Sequence, residues 1–123
     1  MSGTSPTPAR QPVVWVINEG GHDFSSAEQY GRLVPITSGT INPFNVDRLM
    51  VLAAPRLEHA TDEDYLLISG PQMLCAVVIA MWLKRFGKAN LLQWSTKYAK
   101  YSQILLTDRA VEANALKGMR IAQ

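Results

Sequence analysis

The feature that most constrains this chain is the run Val13-Val14-Trp15-Val16-Ile17, in which every residue is apolar and four are β-branched. The run is too short for a helix, and it leaves no polar side chain to face water on either side. Strands of this kind are typical of parallel sheets that are covered on both faces. Residues 65–68 and 89–94 are predicted as further strands, so the sequence indicates a sheet with buried central strands.

Helical segments alternate with these strands. Residues 46–57 carry apolar side chains at helical spacing after Asn45, a favourable N-cap, although Pro55 should kink or split this helix. Residues 72–86 form a second helix, ended by Gly87, that is apolar nearly all round. It should therefore be deeply packed, with part of its surface left over for a second copy of the chain.

The remaining elements are shorter or weaker. Ser25 and Glu28 have capping-box spacing for a short helix, and a weaker strand over residues 32–37 belongs at an edge because of its proline. A turn at Lys97-Tyr98 connects two strands as a hairpin. Thr107 should cap a last helix, which Gly118 should end.

This order of elements favours an α/β fold, namely a single Rossmann-like three-layer domain over residues 13–123 with a largely parallel sheet, a C-terminal hairpin and a helix. We expect strands 13–18, 65–69 and 90–94 to be adjacent and parallel, with helices on both faces. Residues 1–12 are rich in proline, serine and threonine, which predicts a flexible N-terminal arm.

Composition narrows the class of protein. The chain has 123 residues, enough for one domain, and its 47% hydrophobic content is too high for a disordered chain. The single cysteine, Cys75, excludes a disulfide framework and a cysteine-based zinc site. The longest apolar run, residues 74–83, is about half of a membrane span, and the N-terminus has no secretory signal. We therefore expect a cytoplasmic protein without a membrane partner.

Charge is distributed unevenly along the chain. Residues 1–83 carry four basic and eight acidic residues, whereas residues 84–123 carry eight basic and two acidic residues. The basic part can be a solvated face or a surface for an anionic partner. Tyr98, Lys100 and Tyr101 interleave rings and charge as nucleic-acid binders do, but nucleic acid is the less favoured partner. The three tryptophans, Trp15, Trp82 and Trp94, are interpreted as core residues.

Three polar loops that contain glycine follow predicted strands, and the carboxyl ends of parallel strands meet at one edge of a sheet. A ligand would therefore lie where these loops converge. The candidate ligand-binding residues in them are Asn18, Glu19, Gly20, Gly21, His22, Asp23, Ser38, Ser69, Gly70, Pro71 and Gln72.

The loop over residues 69–72 is the most informative of the three. A strand that runs through Ser69-Gly70-Pro71 into a helix leaves free N–H groups at the positive end of that helix, which can bind a phosphate or carboxylate. Gly70 would let the ligand approach the backbone, and Ser69 would add a hydroxyl. The alternative is a plain helix cap.

Glu19, His22 and Asp23 could bind a metal, act as base and acid, or contact a polar ligand, but turn formation explains them without any function and is favoured. We assign no catalytic residue, metal or cofactor, and enzymatic activity stays open, with a non-enzymatic function favoured. The sequence contains no Walker A loop, GxGxxG, GxSxG or HExxH motif.

The span from Tyr65 to Trp94 carries a family resemblance. Leu66-Leu67-Ile68-Ser69-Gly70-Pro71, an apolar helix with Ala76, Arg85-Phe86-Gly87 and Leu91-Leu92-Gln93-Trp94 together resemble the closing βαβ unit of CARF and SAVED sensor domains. The resemblance implies a Rossmann-like domain of bacterial antiviral signalling that binds cyclic or linear oligonucleotides. It also implies that residues 69–72 hold phosphate or ribose.

Two functions follow from these observations. The first is a small Rossmann-like module that binds a nucleotide or another phosphorylated small molecule, including a cyclic oligonucleotide. The second is a homo-oligomeric interaction or structural protein that uses the fold as a scaffold. A homodimer is expected in both cases, either through the apolar helix over residues 72–86 or edge to edge through the C-terminal hairpin.

Overall fold

The computed structural model describes the backbone of residues 10–122 and the side chains of residues 10–117. Its sheet consists of β1 (Val13–Glu19), β2 (Arg32–Ser38), β3 (Tyr65–Leu67), β4 (Lys88–Ser95) and β5 (Lys100–Thr107). Its α-helices are α1 (Val46–His59), α2 (Gln72–Phe86) and α3 (Asp108–Ala122). A 3-10 helix, Ser25–Tyr30, lies between β1 and β2.

The five strands form one mixed sheet in the order β2-β1-β3-β4-β5. β1 pairs in parallel with β2 and β3, and β3 pairs in parallel with β4. The predicted adjacency and parallel direction of β1, β3 and β4 are therefore confirmed, as is the α/β class. β5 runs antiparallel to β4, which confirms the hairpin, and β2 occupies the predicted edge position.

The direction in which the chain crosses the sheet decides which face each helix covers. The connections through α1 and α2 both lead toward β4, whereas the 3-10 helix connects β1 to β2 in the opposite direction. Since parallel crossovers are right-handed, connections in opposite directions lie on opposite faces. The strand order consequently reverses between β1 and β3.

Alternate residues of the strands divide the core into two clusters. Trp15, Ile17 and Leu66 pack on the face covered by α1 and α2. Val14 and Leu67 point to the other face, where the 3-10 helix supplies the covering residues. The prediction of helices on both faces needs correction, because among the described residues the second cluster contains side chains of the six-residue 3-10 segment but of no α-helix.

α2 is more completely packed than its apolar sequence implied. Its buried side chains contact α1 and the sheet: Leu74, Cys75, Val77, Val78 and Trp82. Its exposed positions are polar, charged or small, except for Met73, which is 46% exposed: Gln72, Met73, Ala76, Ala80, Lys84 and Arg85. α2 therefore offers little of the spare apolar surface from which we expected a dimer.

Three local predictions about helix ends are confirmed. The Asn45 side chain accepts a hydrogen bond from the N–H of Arg48 at 3.1 Å, and the Thr107 hydroxyl accepts one from the N–H of Ala110 at 3.1 Å. Gly87 ends α2 in the left-handed conformation, with φ of 75°.

Three other local predictions are wrong. α1 continues through Pro55 without splitting, because this part of the helix is exposed and water can bond the carbonyl that proline leaves free. Gly118 does not end α3, which runs to Ala122. No capping box forms at Ser25; instead its N–H bonds the carboxylate of Asp23 at 2.9 Å.

The predicted N-terminal arm lies largely outside the described residues, which begin at Arg10. Arg10 forms a salt bridge of 2.6 Å with Asp64, the buried carboxylate that precedes β3. The N–H of Arg32 also bonds the carbonyl of Pro12 at 3.2 Å. Across the described residues, no helix combines the length and apolar character needed to cross a bilayer.

Candidate functional site

The loops after β1, β2 and β3 meet at Asn18, as the sequence predicted. The N–H of Asn18 donates to the hydroxyl of Ser69 at 3.1 Å, and that hydroxyl donates back to the Asn18 carbonyl at 3.0 Å. The Asn18 amide also donates to the carbonyl of Gly39 at 3.1 Å, and its oxygen accepts from Thr37 at 3.2 Å. These bonds fix the three loops relative to one another at the carboxyl edge of the sheet.

This network gives Gly70 and Ser69 a different role from the predicted one. Gly70 has φ of +88°, and a Cβ atom built on it would lie 2.5 Å from Cβ of Asn18. Gly70 is therefore needed for the close packing of Asn18, whether or not a ligand approaches. The Ser69 hydroxyl is likewise occupied by the Asn18 backbone.

A pocket of about 310 Å³ opens beside this network. It lies at the carboxyl ends of β1, β3 and β4, close to the point where the strand order reverses. Open α/β sheets commonly bind ligands at such a point. Its lining residues are His22, Asp23, Phe24, Ile68, Ser69, Gly70, Trp94 and Tyr101.

Two aromatic residues form one wall of the pocket. Trp94 and Tyr101 lie edge to face, with ring centroids 5.1 Å apart. Trp94 was interpreted as a core residue, but its side chain is 45% exposed. Tyr101 is only 6% exposed as a whole, but its hydroxyl retains solvent access and makes no hydrogen bond within the described part of the chain. The pocket thus combines an exposed indole with a phenol whose ring is buried and whose hydroxyl opens to the pocket.

The protonation states of two lining residues follow from their surroundings. The N–H and hydroxyl of Ser25 bond the Asp23 carboxylate and lower its pKa. Burial raises the pKa of the Tyr101 phenol, and the nearby Asp23 charge raises it further. At neutral pH the pocket therefore presents a carboxylate that only accepts hydrogen bonds and a phenol that retains its proton.

The predicted site residues separate into groups. His22, Asp23, Ser69 and Gly70 line the pocket, and Asn18 lies beneath it. Glu19 and Ser38 are brought together outside it, with the hydroxyl 3.4 Å from a carboxylate oxygen. The remaining four are not among the lining residues: Gly20, Gly21, Pro71 and Gln72.

Sequence reasoning missed Phe24, Ile68, Trp94 and Tyr101 as pocket residues. A usable indication was present for Trp94, which occupies the carboxyl end of a predicted strand, where ligands bind. Tyr101 could not have been found in this way, because it enters the site only through the register of the β4–β5 hairpin.

Neither metal nor thiol chemistry is indicated by the arrangement. Within residues 10–122, no three side chains of His, Cys, Asp or Glu lie close enough together to share a metal ion. Cys75 is buried in α2 and bonds the Ser69 carbonyl at 3.3 Å. Burial raises the pKa of its thiol, which disfavours the reactive thiolate.

The fold and pocket define a small α/β protein with an aromatic-walled pocket at the carboxyl edge of a mixed sheet. A family model described as Phage Pam3 gp32-like protein matches residues 12–107, most of the chain. The chain therefore belongs to the Phage Pam3 gp32-like protein family. The match includes every lining residue of the pocket and ends at the last residue of β5, before α3. No curated protein and no solved structure matched the chain.

Proposed function

We propose that this protein is a small Rossmann-like module that binds a nucleotide or a related phosphorylated small molecule in the pocket beside Asn18. The observation that carries the proposal is the exposed Trp94 indole beside Tyr101, whose ring is buried while its hydroxyl opens to the pocket without a hydrogen-bond partner among the described residues. A planar ring can stack on the indole, and a polar group of the ligand can bond the free hydroxyl.

The pocket residues suit the ring and sugar of a nucleotide better than its phosphate. The exposed face of Trp94 can stack on a planar base, an interaction worth about 1–3 kcal/mol. The Asp23 carboxylate can accept hydrogen bonds from ribose hydroxyls or an exocyclic amine. No lysine or arginine is among the lining residues, and Asp23 would repel a phosphate.

The phosphate would instead extend toward the basic turn between β4 and β5. Trp94 also lines a groove on its other side, together with Thr96 and Lys97. Lys97 and Lys100 both lie near the ring of Tyr98, at 5.3 and 6.0 Å from its centroid. The N–H groups at the start of α2 are the alternative phosphate position, as the sequence analysis predicted.

Calorimetric titration with nucleosides, nucleotides and cyclic oligonucleotides tests the proposal. Cyclic oligonucleotides are included because of the resemblance to CARF and SAVED domains. We expect Trp94→Ala and Tyr101→Phe to weaken binding, by about fivefold or more for Trp94→Ala because of the lost stacking. Lys97→Ala should weaken the binding of nucleotides but leave the binding of nucleosides unchanged, because only nucleotides carry a phosphate.

Tyr98→Ala is the matched control for nucleoside binding, because Tyr98 belongs to the same hairpin, is 63% exposed and does not line the pocket, while the phosphate that would reach its turn is missing from a nucleoside. If Tyr98→Ala and Trp94→Ala weakened nucleoside binding equally, the ligand would bind at the β4–β5 turn and not in the pocket. The absence of heat and of thermal stabilisation with every member of the panel would refute nucleotide binding.

A further inference from the structure

β5 is an edge strand with the features that favour pairing with another strand. It is eight residues long and contains no proline, and its pairing with β4 is continuous from Lys100 to Thr107. Among the described residues, no strand pairs with its outer side. Natural edge strands are usually protected by shortness, proline, bulges or central charges. β2, the opposite edge, carries Pro35, but β5 has no comparable protection.

The side chains in the middle of β5 include exposed apolar residues, whereas exposed edge strands usually carry charged residues there. Ile104 and Leu105 point to opposite faces of the sheet and are 41% and 62% exposed. α3, which follows directly, has no buried side chain over residues 108–117 and exposes Val111 at 44%. Apolar surface therefore continues from β5 onto α3.

Charge along this edge is limited to its two ends. Lys100 begins β5, and Asp108 immediately follows it. Both side chains are exposed, and neither forms a salt bridge with another described residue. If a second copy of the strand runs antiparallel to the first, the basic end of each copy lies beside the acidic end of the other.

We propose that β5 is the dimer interface, and that its occupant is β5 of a second copy in antiparallel pairing around a twofold axis. A twofold axis perpendicular to the sheet does not exchange the two faces of the sheet. Even-numbered residues of one β5 therefore lie opposite even-numbered residues of the other, with their side chains on the same face. Ile104 then lies opposite Ile104 of the second copy. The same register places Lys100 opposite Asp108 of the second copy, twice in each dimer.

This arrangement joins the two sheets into one of ten strands and leaves each pocket within its own copy. Five strand spacings separate the two β3 strands, about 24 Å. The dimer therefore does not depend on ligand binding, and its test is independent of the proposed function. Of the two contacts expected from the sequence, α2 and the edge of the C-terminal hairpin, the proposal selects the hairpin edge and gives its register.

Sedimentation velocity across micromolar concentrations tests the interface, with twice 13.6 kDa expected for the wild-type chain. Lys100→Asp and Asp108→Lys should each shift the protein toward monomer, because each creates two like-charged pairs. The double variant restores opposite charges and should restore the dimer. Ile104→Lys should give monomer, whereas Val51→Lys, on the exposed part of α1, should not.

Far-UV circular dichroism establishes that each variant is folded. If Asp108→Lys destabilises α3, Lys100→Asp and Ile104→Lys still test the same interface. A wild-type monomer throughout the concentration range would overturn the proposal. A dimer that persists in Lys100→Asp and Ile104→Lys would also overturn it, because that dimer would use another face.

Discussion

Replacing the buried carboxylate Asp64 with asparagine should strongly destabilise the fold. Oδ1 of Asp64 accepts hydrogen bonds from Arg10 at 2.6 Å and from the N–H of Val13 at 3.0 Å. Oδ2 accepts from the Trp15 indole at 2.9 Å, from the N–H of Thr61 at 3.0 Å and from Arg10 at 3.2 Å. All these partners are donors, so the carboxylate connects the start of β1 to the loop before β3.

The expected loss follows from the number of donors on each oxygen. In Asp64→Asn, one oxygen becomes an NH2 group that faces two or three donors and cannot accept from them. A hydrogen bond to a charged group contributes about 1.5–3 kcal/mol, and the substitution loses two or three such bonds while Arg10, which is 45% exposed, keeps its contact with water. We therefore expect the free energy of unfolding to fall by about 3–5 kcal/mol.

Urea denaturation, followed by tryptophan fluorescence and far-UV circular dichroism, measures this loss. Arg10→Ala is the matched comparison, because the Arg10 side chain is 45% exposed and its removal leaves Asp64 with three N–H donors. It should cost about 1–2 kcal/mol. If Asp64→Asn unfolded within about 1 kcal/mol of the wild type, the carboxylate would not hold β1 as argued.

The same network predicts a dependence on pH. Burial alone would raise the pKa of Asp64, but the hydrogen bonds from Arg10, Trp15, Val13 and Thr61 together outweigh it, and the pKa lies below the ordinary 3.8. A lowered pKa in the folded state stabilises the protein above the unfolded value, and this stability is lost as the pH falls through the folded value. The difference in stability between wild type and Asp64→Asn should therefore be constant near neutrality and shrink below about pH 4.

Two further predictions compare matched pairs of residues. Gly70→Val should cost at least about 2 kcal/mol in urea denaturation, because it adds a contact with Asn18 at a positive φ, whereas Gly20→Ala has open space and should stay within about 0.5 kcal/mol. Equal effects would contradict the close-packing argument. Trp15→Phe should destabilise more than Trp82→Phe, by about 1–3 kcal/mol, because only the Trp15 indole has a described hydrogen-bond partner. The reverse order would refute this.

Short-range patterns predicted those parts of the fold that depend on short-range forces. The apolar run of β1 indicates a strand buried on both faces, and Pro35 places β2 at an edge. The side-chain caps at Asn45 and Thr107 depend on atoms within three residues of one another, so the sequence is sufficient to predict them.

Other parts depend on contacts that the sequence does not show. The apolar pattern of α2 reports burial but not the element that buries it, so it was interpreted partly as a dimer surface. Trp94 is a large apolar residue of the kind usually found in cores, yet it lies near the carboxyl end of β4, opposite Tyr101, and its side chain is 45% exposed. Its exposure depends on how far the elements on the 3-10-helix face extend across the sheet, which the sequence does not show.

The pocket also shows why a polar residue at the end of a strand is weak evidence for a ligand. Strand ends leave backbone N–H and C=O groups that need partners, and nearby hydroxyls and amides satisfy them first. Ser69 does this for both backbone groups of Asn18, so its hydroxyl is part of the scaffold. Tyr101 is different, because its ring packs in the core while its hydroxyl faces the pocket without a described partner.

Removing one hydroxyl from each of these residues should therefore have different consequences. Ser69→Ala breaks two hydrogen bonds of the loop network and should lower the free energy of unfolding by about 1–3 kcal/mol without ligand. Tyr101→Phe removes a hydroxyl that contacts solvent and makes no described hydrogen bond, so it should leave the unliganded protein within about 0.5 kcal/mol of the wild type. Urea denaturation of both variants measures the difference. A Tyr101→Phe protein less stable than Ser69→Ala would show that the phenol serves the fold and not a ligand.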